Sequence, residues 1–105
     1  MIYHIDITEP AEVDMDEIGF YIALTLHAPE SAVKLLDEID HNILSLEQMP
    51  KRFALVSDER LASLGIRVIP VKNYLIFYFV DDDTRTVTIT RVLYNRRNWT
   101  HLLLP

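Results

Sequence analysis

Residues 65–80, Gly65-Ile66-Arg67-Val68-Ile69-Pro70-Val71-Lys72-Asn73-Tyr74-Leu75-Ile76-Phe77-Tyr78-Phe79-Val80, decide the fold. Two β-rich runs, 66–71 and 74–80, flank the two-residue link Lys72-Asn73. A link that short predicts an antiparallel hairpin, and asparagine there tolerates left-handed backbone angles. Gly65 opens the pair after a short helical turn expected over 58–64. A third run, 86–93, follows the charged loop Asp81-Asp82-Asp83-Thr84-Arg85. Its Val87, Ile89 and Leu93 share one parity and Thr86, Thr88 and Thr90 the other, which predicts an antiparallel sheet with one solvated face.

Toward the N-terminus, residues 2–8 alternate, with Tyr3, Ile5 and Ile7 on one side and His4, Asp6 and Thr8 on the other, as a half-buried strand requires. Thr8 then precedes Glu9-Pro10, a hydroxyl cap followed by an early proline whose missing N–H costs a helix start nothing. Ala11, Met15, Ile18, Ile22 and Leu26 recur at helical spacing and are expected to face the core. Val13, Phe20 and Leu24 fall within about 40° of one another on the opposite side. Either the next helix covers this second apolar face, or it is a docking surface for a partner chain. Ala28-Pro29-Glu30-Ser31 breaks the first helix and starts another, in which Ala32, Leu35, Leu36, Ile39, Ile43 and Leu46 keep period until Met49-Pro50 stops it. So short a link makes an antiparallel helical hairpin. The tail, Trp99 to Pro105, is expected to add a helical turn whose Trp99 and Leu103 pack on the body. The order is β-α-α-β-β-β, which predicts an α+β fold: an antiparallel sheet with a helical hairpin on one face and a short C-terminal helix.

The 105 residues suit a single domain over 1–105, and 50% hydrophobic content with 2 Gly and 5 Pro excludes disordered and collagen-like chains. Cysteine is absent, which removes a disulfide framework, thiolate-bound zinc and a thiol nucleophile together. The longest apolar run, 75–80, falls far short of the ~18–20 residues of a membrane span, and no signal-peptide pattern opens the chain. A cytoplasmic protein with no membrane partner is expected. Net charge is −6, yet residues 1–50 carry −10 and residues 51–105 carry +4. The acidic total argues against a protein that mainly binds nucleic acid, while the basic half can still face an anion, because fields act within a Debye length of ~8 Å.

No Gly-rich phosphate loop, serine elbow or histidine pair at metal-ligand spacing occurs, so no metal or cofactor is expected. Asp14, Asp16 and Glu17 point in different directions on a helix and read as solvated. What remains is basic: Arg67, Lys72, Arg91, Arg96 and Arg97, interleaved with Tyr74, Tyr78, Tyr94 and Trp99. Cations fixed on strands between aromatic planes suit phosphate clamping and base stacking. Metal-free RNA cleavage would also need a proton donor and acceptor, for which Tyr94 and His101 are the nearest candidates. Arg91 shares parity with Val87 and Ile89. It either lies past the core edge or meets a carboxylate there, since a buried unpaired guanidinium costs several kcal/mol.

Taken in order, these pieces resemble the RelE/ParE superfamily of toxins from bacterial type II toxin–antitoxin modules. The resemblance rests on Ile7-Thr8 running into an acidic helix with Asp14 to Ile18 and Tyr21-Ile22, on Leu46 and Met49-Pro50, on Gly65-Ile66-Arg67 and Pro70 to Tyr78, and on Arg91 to Trp99. It implies a β-α-α-β-β-β fold, a cognate antitoxin as partner and a toxin–antitoxin hetero-oligomer. It also implies one of two activities. ParE-like members poison DNA gyrase; RelE-like members cleave mRNA on the ribosome without metal. Leu75 after Tyr74, where RelE-like members often carry a basic residue, favours the gyrase reading. Arg67, Lys72, Arg91, Tyr94, Arg96 and Arg97 are the candidate catalytic or target-binding residues, and Val13, Phe20 and Leu24 the candidate antitoxin contacts. A non-toxic interaction domain on the same fold is the third possibility.

Overall fold

The computed structural model describes residues 2–103. In chain order it has β1 (His4–Ile7), α1 (Glu9–Phe20) running into a π-helical turn (Tyr21–Thr25), α2 (Pro29–Ser45), a 3-10 turn (Pro50–Arg52), α3 (Glu59–Ser63), β2 (Arg67–Val71), β3 (Tyr74–Asp81), β4 (Thr86–Tyr94) and α4 (Thr100–Leu103). The four strands form one sheet in the order β1-β4-β3-β2. β2, β3 and β4 pair antiparallel as their short links require, whereas β1 joins β4 in parallel, which makes the sheet mixed. No helix among the described residues is long and apolar enough to cross a membrane.

Local chemistry explains the boundaries. Thr8 caps α1 by accepting the Ala11 N–H at 3.2 Å, and its hydroxyl donates to the Thr90 carbonyl at 2.9 Å, so one side chain starts the helix and ties it to β4. Asp58 caps α3 through the Arg60 and Leu61 amides. At the other end of α3, Gly65 takes φ +81° while the Ile66 N–H returns to the Leu61 carbonyl at 3.2 Å. A Cβ at Gly65 would meet nothing within 4 Å, so Gly65→Ala carries a purely conformational penalty. About 1 kcal/mol of lost stability is expected in urea titration. Gly19 serves packing instead: a Cβ there would lie 2.9 Å from Leu36 Cδ1, so its absence lets α1 and α2 approach.

The hairpin and the last strand depart from their expected reading in two places. Lys72, not Asn73, holds the left-handed position in the β2–β3 turn, with φ 53°. In β4, Phe77 pairs with Arg91 and Tyr78 with Ile89, leaving Thr90 as an extra residue whose hydroxyl donates to the Phe77 carbonyl. A bulge of one residue inverts the alternation after it. Val87, Ile89 and Val92 therefore join the core under the helices, while Leu93 faces the other way. That second face is not solvated as expected along its whole length. Phe77 and Leu93 pack there with Val56, Leu61 and Ile66, covered by Trp99, Leu102 and Leu103, with the Phe77 and Trp99 rings 5.0 Å apart.

Tyr78 is fully buried and donates to the Pro50 carbonyl at 2.6 Å, pinning the link between α2 and α3 onto the sheet. Burial pushes its phenol from 10.0 up to about 12, against the opposing pull of Arg67 and Arg52. The native state thus holds the proton more tightly than the unfolded chain, so stability is complete below pH 10 and falls as pH rises from 10 to 12. The loss should approach roughly 2 to 3 kcal/mol at 1.36 kcal/mol per pKa unit. Tyr78→Phe should flatten that alkaline limb in pH-dependent urea unfolding. The outer edge of β2 is closed by Val68 donating to Ala54 and by Pro70, which offers no N–H at the next outward position.

Candidate functional site

The helical hairpin leaves its second apolar face open. Ala11 is buried, and Met15, Ile18 and Ile22 pack against the core as their stripe predicts. Val13, Phe20 and Leu24 remain 45%, 65% and 68% exposed, so α2 does not cover them. Leu26, expected inside, is 54% exposed. The π-helical turn, closed by the Leu26 N–H on the Tyr21 carbonyl, rotates it off the stripe, and His27 at φ 53° then reverses the chain. Beside this turn lies a groove of about 730 Å³ between the end of α1 and the Tyr74 and Tyr94 end of the sheet. Ile18, Tyr21, Ile22, Tyr74, Tyr94 and Arg97 are among its walls. Tyr74 and Tyr94 meet edge to face at 5.7 Å. Burial, with Tyr94 and Tyr21 close by, pushes the Tyr74 phenol above its ordinary value.

The six candidate target-binding residues divide into two groups. Arg91 sits where β1 has ended and α1 crosses the free edge of β4. Its Nε and Nη2 each donate to Asp14 at 2.7 Å, and Asp14 Oδ2 also accepts the Val92 N–H at 3.0 Å. Asp14, expected to be solvated, is 5% exposed, and its hydrogen bonds raise the Arg91 pKa further above its ordinary value. Arg67 Nη1 donates to the Phe53 carbonyl at 2.6 Å and the Lys51 carbonyl at 3.2 Å, fastening the 51–53 link beside β2. Arg91 is thus paired with a buried carboxylate, whereas Arg67 is tethered through Nη1 alone to two backbone carbonyls.

The backbone segments that carry Lys72 and Tyr94, Arg96 and Arg97 lie side by side, while Arg97 also lines a hollow with Arg91, Glu9 and Glu17. The Asn95 N–H donates to the Asn73 carbonyl at 2.8 Å and the Arg97 N–H to the Tyr94 carbonyl at 3.0 Å, which folds the segment after β4 against the β2–β3 turn. The side chains of Lys72, Arg96 and Arg97 make no hydrogen bond or ion pair with any described residue and are exposed. Lys72 is also held in the left-handed region, a strain of about 1–2 kcal/mol. Sequence reading missed Arg52, whose guanidinium caps the end of α2 on the Ser45, Gln48 and Met49 carbonyls and lies 4.8 Å over the Phe53 ring. It also missed the Lys51–Asp82 ion pair, which Tyr3 joins through Asp82.

Comparison with known proteins bears on the fold and the family. The chromosomal ParDE toxin–antitoxin system of P. aeruginosa superposes with a TM-score of 0.68 at 22% identity, covering 89% of this chain and 96% of that one. The RelBE2 toxin–antitoxin complex of Mycobacterium tuberculosis gives 0.66 at 20%, covering 90% and 99%. A mutant E. coli toxin RelE in the free state gives 0.69 at 14%, covering 97% and 93%. At these identities the structures establish the shared fold. No curated protein sequence is significantly similar to this chain. Residues 5–99 match the family described as ParE toxin of type II toxin–antitoxin system, parDE, and the chain belongs to that family of toxins.

Proposed function

We propose that this toxin arrests growth by inhibiting DNA gyrase and that its antitoxin docks on the exposed face at Val13, Phe20 and Leu24. The observation that carries the first part is the pairing of Arg91 with buried Asp14, together with the tethering of Arg67 to the 51–53 link. Metal-free RNA cleavage needs several cations free to meet the charge developing on phosphorus, with a proton donor and acceptor in reach. Only Lys72, Arg96 and Arg97 of the five candidate bases lack an internal partner among the described residues, and they project from one end of a chain of net charge −6. That leaves a phosphate clamp fewer cations than the sequence offers, while an exposed arginine pair beside Tyr94 suits the rim of a protein or protein–DNA contact. The ParE character of the matched family supports the same reading.

The test is induction of the toxin without antitoxin, together with a supercoiling assay on purified gyrase. Loss of supercoiling, double-strand breaks and a DNA-damage response with intact mRNA are expected, and Lys72→Ala with Arg96→Ala and Arg97→Ala should weaken inhibition at least tenfold while the fold persists. Codon-phased mRNA cuts that vanish in the same triple variant would establish the nuclease activity instead. Absence of any growth defect would identify a non-toxic interaction domain.

A further inference from the structure

The acidic surface of α1 and the groove at its end share one wall, and their chemistry narrows what can sit there. Between Glu9 and Thr25 the chain has five acids and no lysine or arginine. Asp14 is spent on Arg91, but Glu9, Glu12, Asp16 and Glu17 are exposed beside Val13, Phe20 and Leu24. Glu17 also lines the groove, together with Tyr21 and Tyr74. A segment laid along this strip meets apolar side chains flanked by carboxylates, and at the far end it meets a tyrosine-walled hollow. Along α1 an acidic segment would face like charges and a basic one opposite charges, with Arg97 the cation exposed at the groove end.

We propose that the antitoxin segment covering this strip is a basic amphipathic helix whose terminal apolar or aromatic side chain anchors in the groove between Tyr21, Tyr74 and Tyr94. Arg97 and Tyr94 form the groove's outer wall, so an occupied groove also covers part of the Lys72, Arg96 and Arg97 end. Neutralisation then follows from direct occlusion, with no rearrangement of the toxin required. This inference rests on the antitoxin docking proposed above and adds the charge and anchoring of the docked segment.

The probe is a pair of synthetic 20-residue helical peptides with the same leucine and terminal phenylalanine pattern, one carrying lysine and arginine on its flanks and the other glutamate. The basic peptide should bind the full chain at least tenfold more tightly at low salt. Glu12→Lys with Asp16→Lys and Glu17→Lys should reverse that preference, and the contrast should shrink as salt is raised. Ser31→Trp, at an exposed position in the first turn of α2 that lines the groove, should weaken binding at least tenfold. Val33→Trp, exposed on α2 outside the groove, should not. Circular dichroism and the unfolding midpoint check that each variant is folded. Equal binding of the two peptides, or binding indifferent to Ser31→Trp, would overturn the proposal. If the toxin proves inert toward gyrase but these contrasts hold, the docking chemistry stands and only the target assignment falls.

Discussion

Replacing Asp14 by alanine should cost the fold about 3–5 kcal/mol, the usual loss when one partner of a buried ion pair is removed. The carboxylate is 5% exposed and its partner guanidinium is 21% exposed, so the pair is largely out of water. Asp14→Ala strands three N–H donors at once, two of the Arg91 fork and that of Val92 at the uncovered edge of β4. A midpoint drop of at least about 12 °C should follow in thermal unfolding, since a domain of this size loses roughly 4–8 °C per kcal/mol. Asp14→Asn keeps an acceptor in place and should lose less. Asp14→Leu combined with Arg91→Met removes both charges and should recover much of the deficit, leaving mainly the unpaired Val92 amide. A loss under about 1 kcal/mol for Asp14→Ala would mean that water reaches the pair and screens it as at a surface.

The same pair shows how far the sequence can be read. Arg91 on a core-facing parity left two readings, a place past the core edge or a carboxylate partner, and Asp14 lies three residues after Ala11 on the core-facing side of its helix. The second reading, joined to that position of Asp14, is the contact the structure shows. Grouping Asp14 with Asp16 and Glu17 as one acidic run concealed it. The bulge at Thr90 was illegible because alternation is read as unbroken unless glycine or proline interrupts it, and neither occurs in β4. Strands, helices and the tail packing of Trp99 were legible because period and apolar spacing agree there. Residues 51–57 lack any period, so nothing in the sequence announced that Arg67 reaches the Lys51 and Phe53 carbonyls. The open face of α1 stood as one of two alternatives, and only the placement of α2 decides it, since a helix's neighbours are a tertiary fact.

That open face sets the second large effect. Phe20→Asp with Leu24→Asp should weaken binding of the cognate antitoxin at least 100-fold while changing the toxin's own stability little, because both side chains are two-thirds exposed in the free chain. Apolar anchors at the centre of an interface cost about 2 kcal/mol or more when lost, and two of them exceed the 2.8 kcal/mol that 100-fold requires. The new carboxylates add electrostatic attraction for a basic partner, but an exposed ion pair returns less than about 1 kcal/mol. Burying an unpaired carboxylate beneath an apolar side chain costs several kcal/mol, so the penalty prevails. Titration calorimetry with the purified antitoxin measures the affinity, and growth measures the consequence. The double variant should still arrest cells when expressed alone and should keep arresting them when the antitoxin is co-expressed. Rescue by antitoxin at the unsubstituted level would place the contact on another face of the molecule.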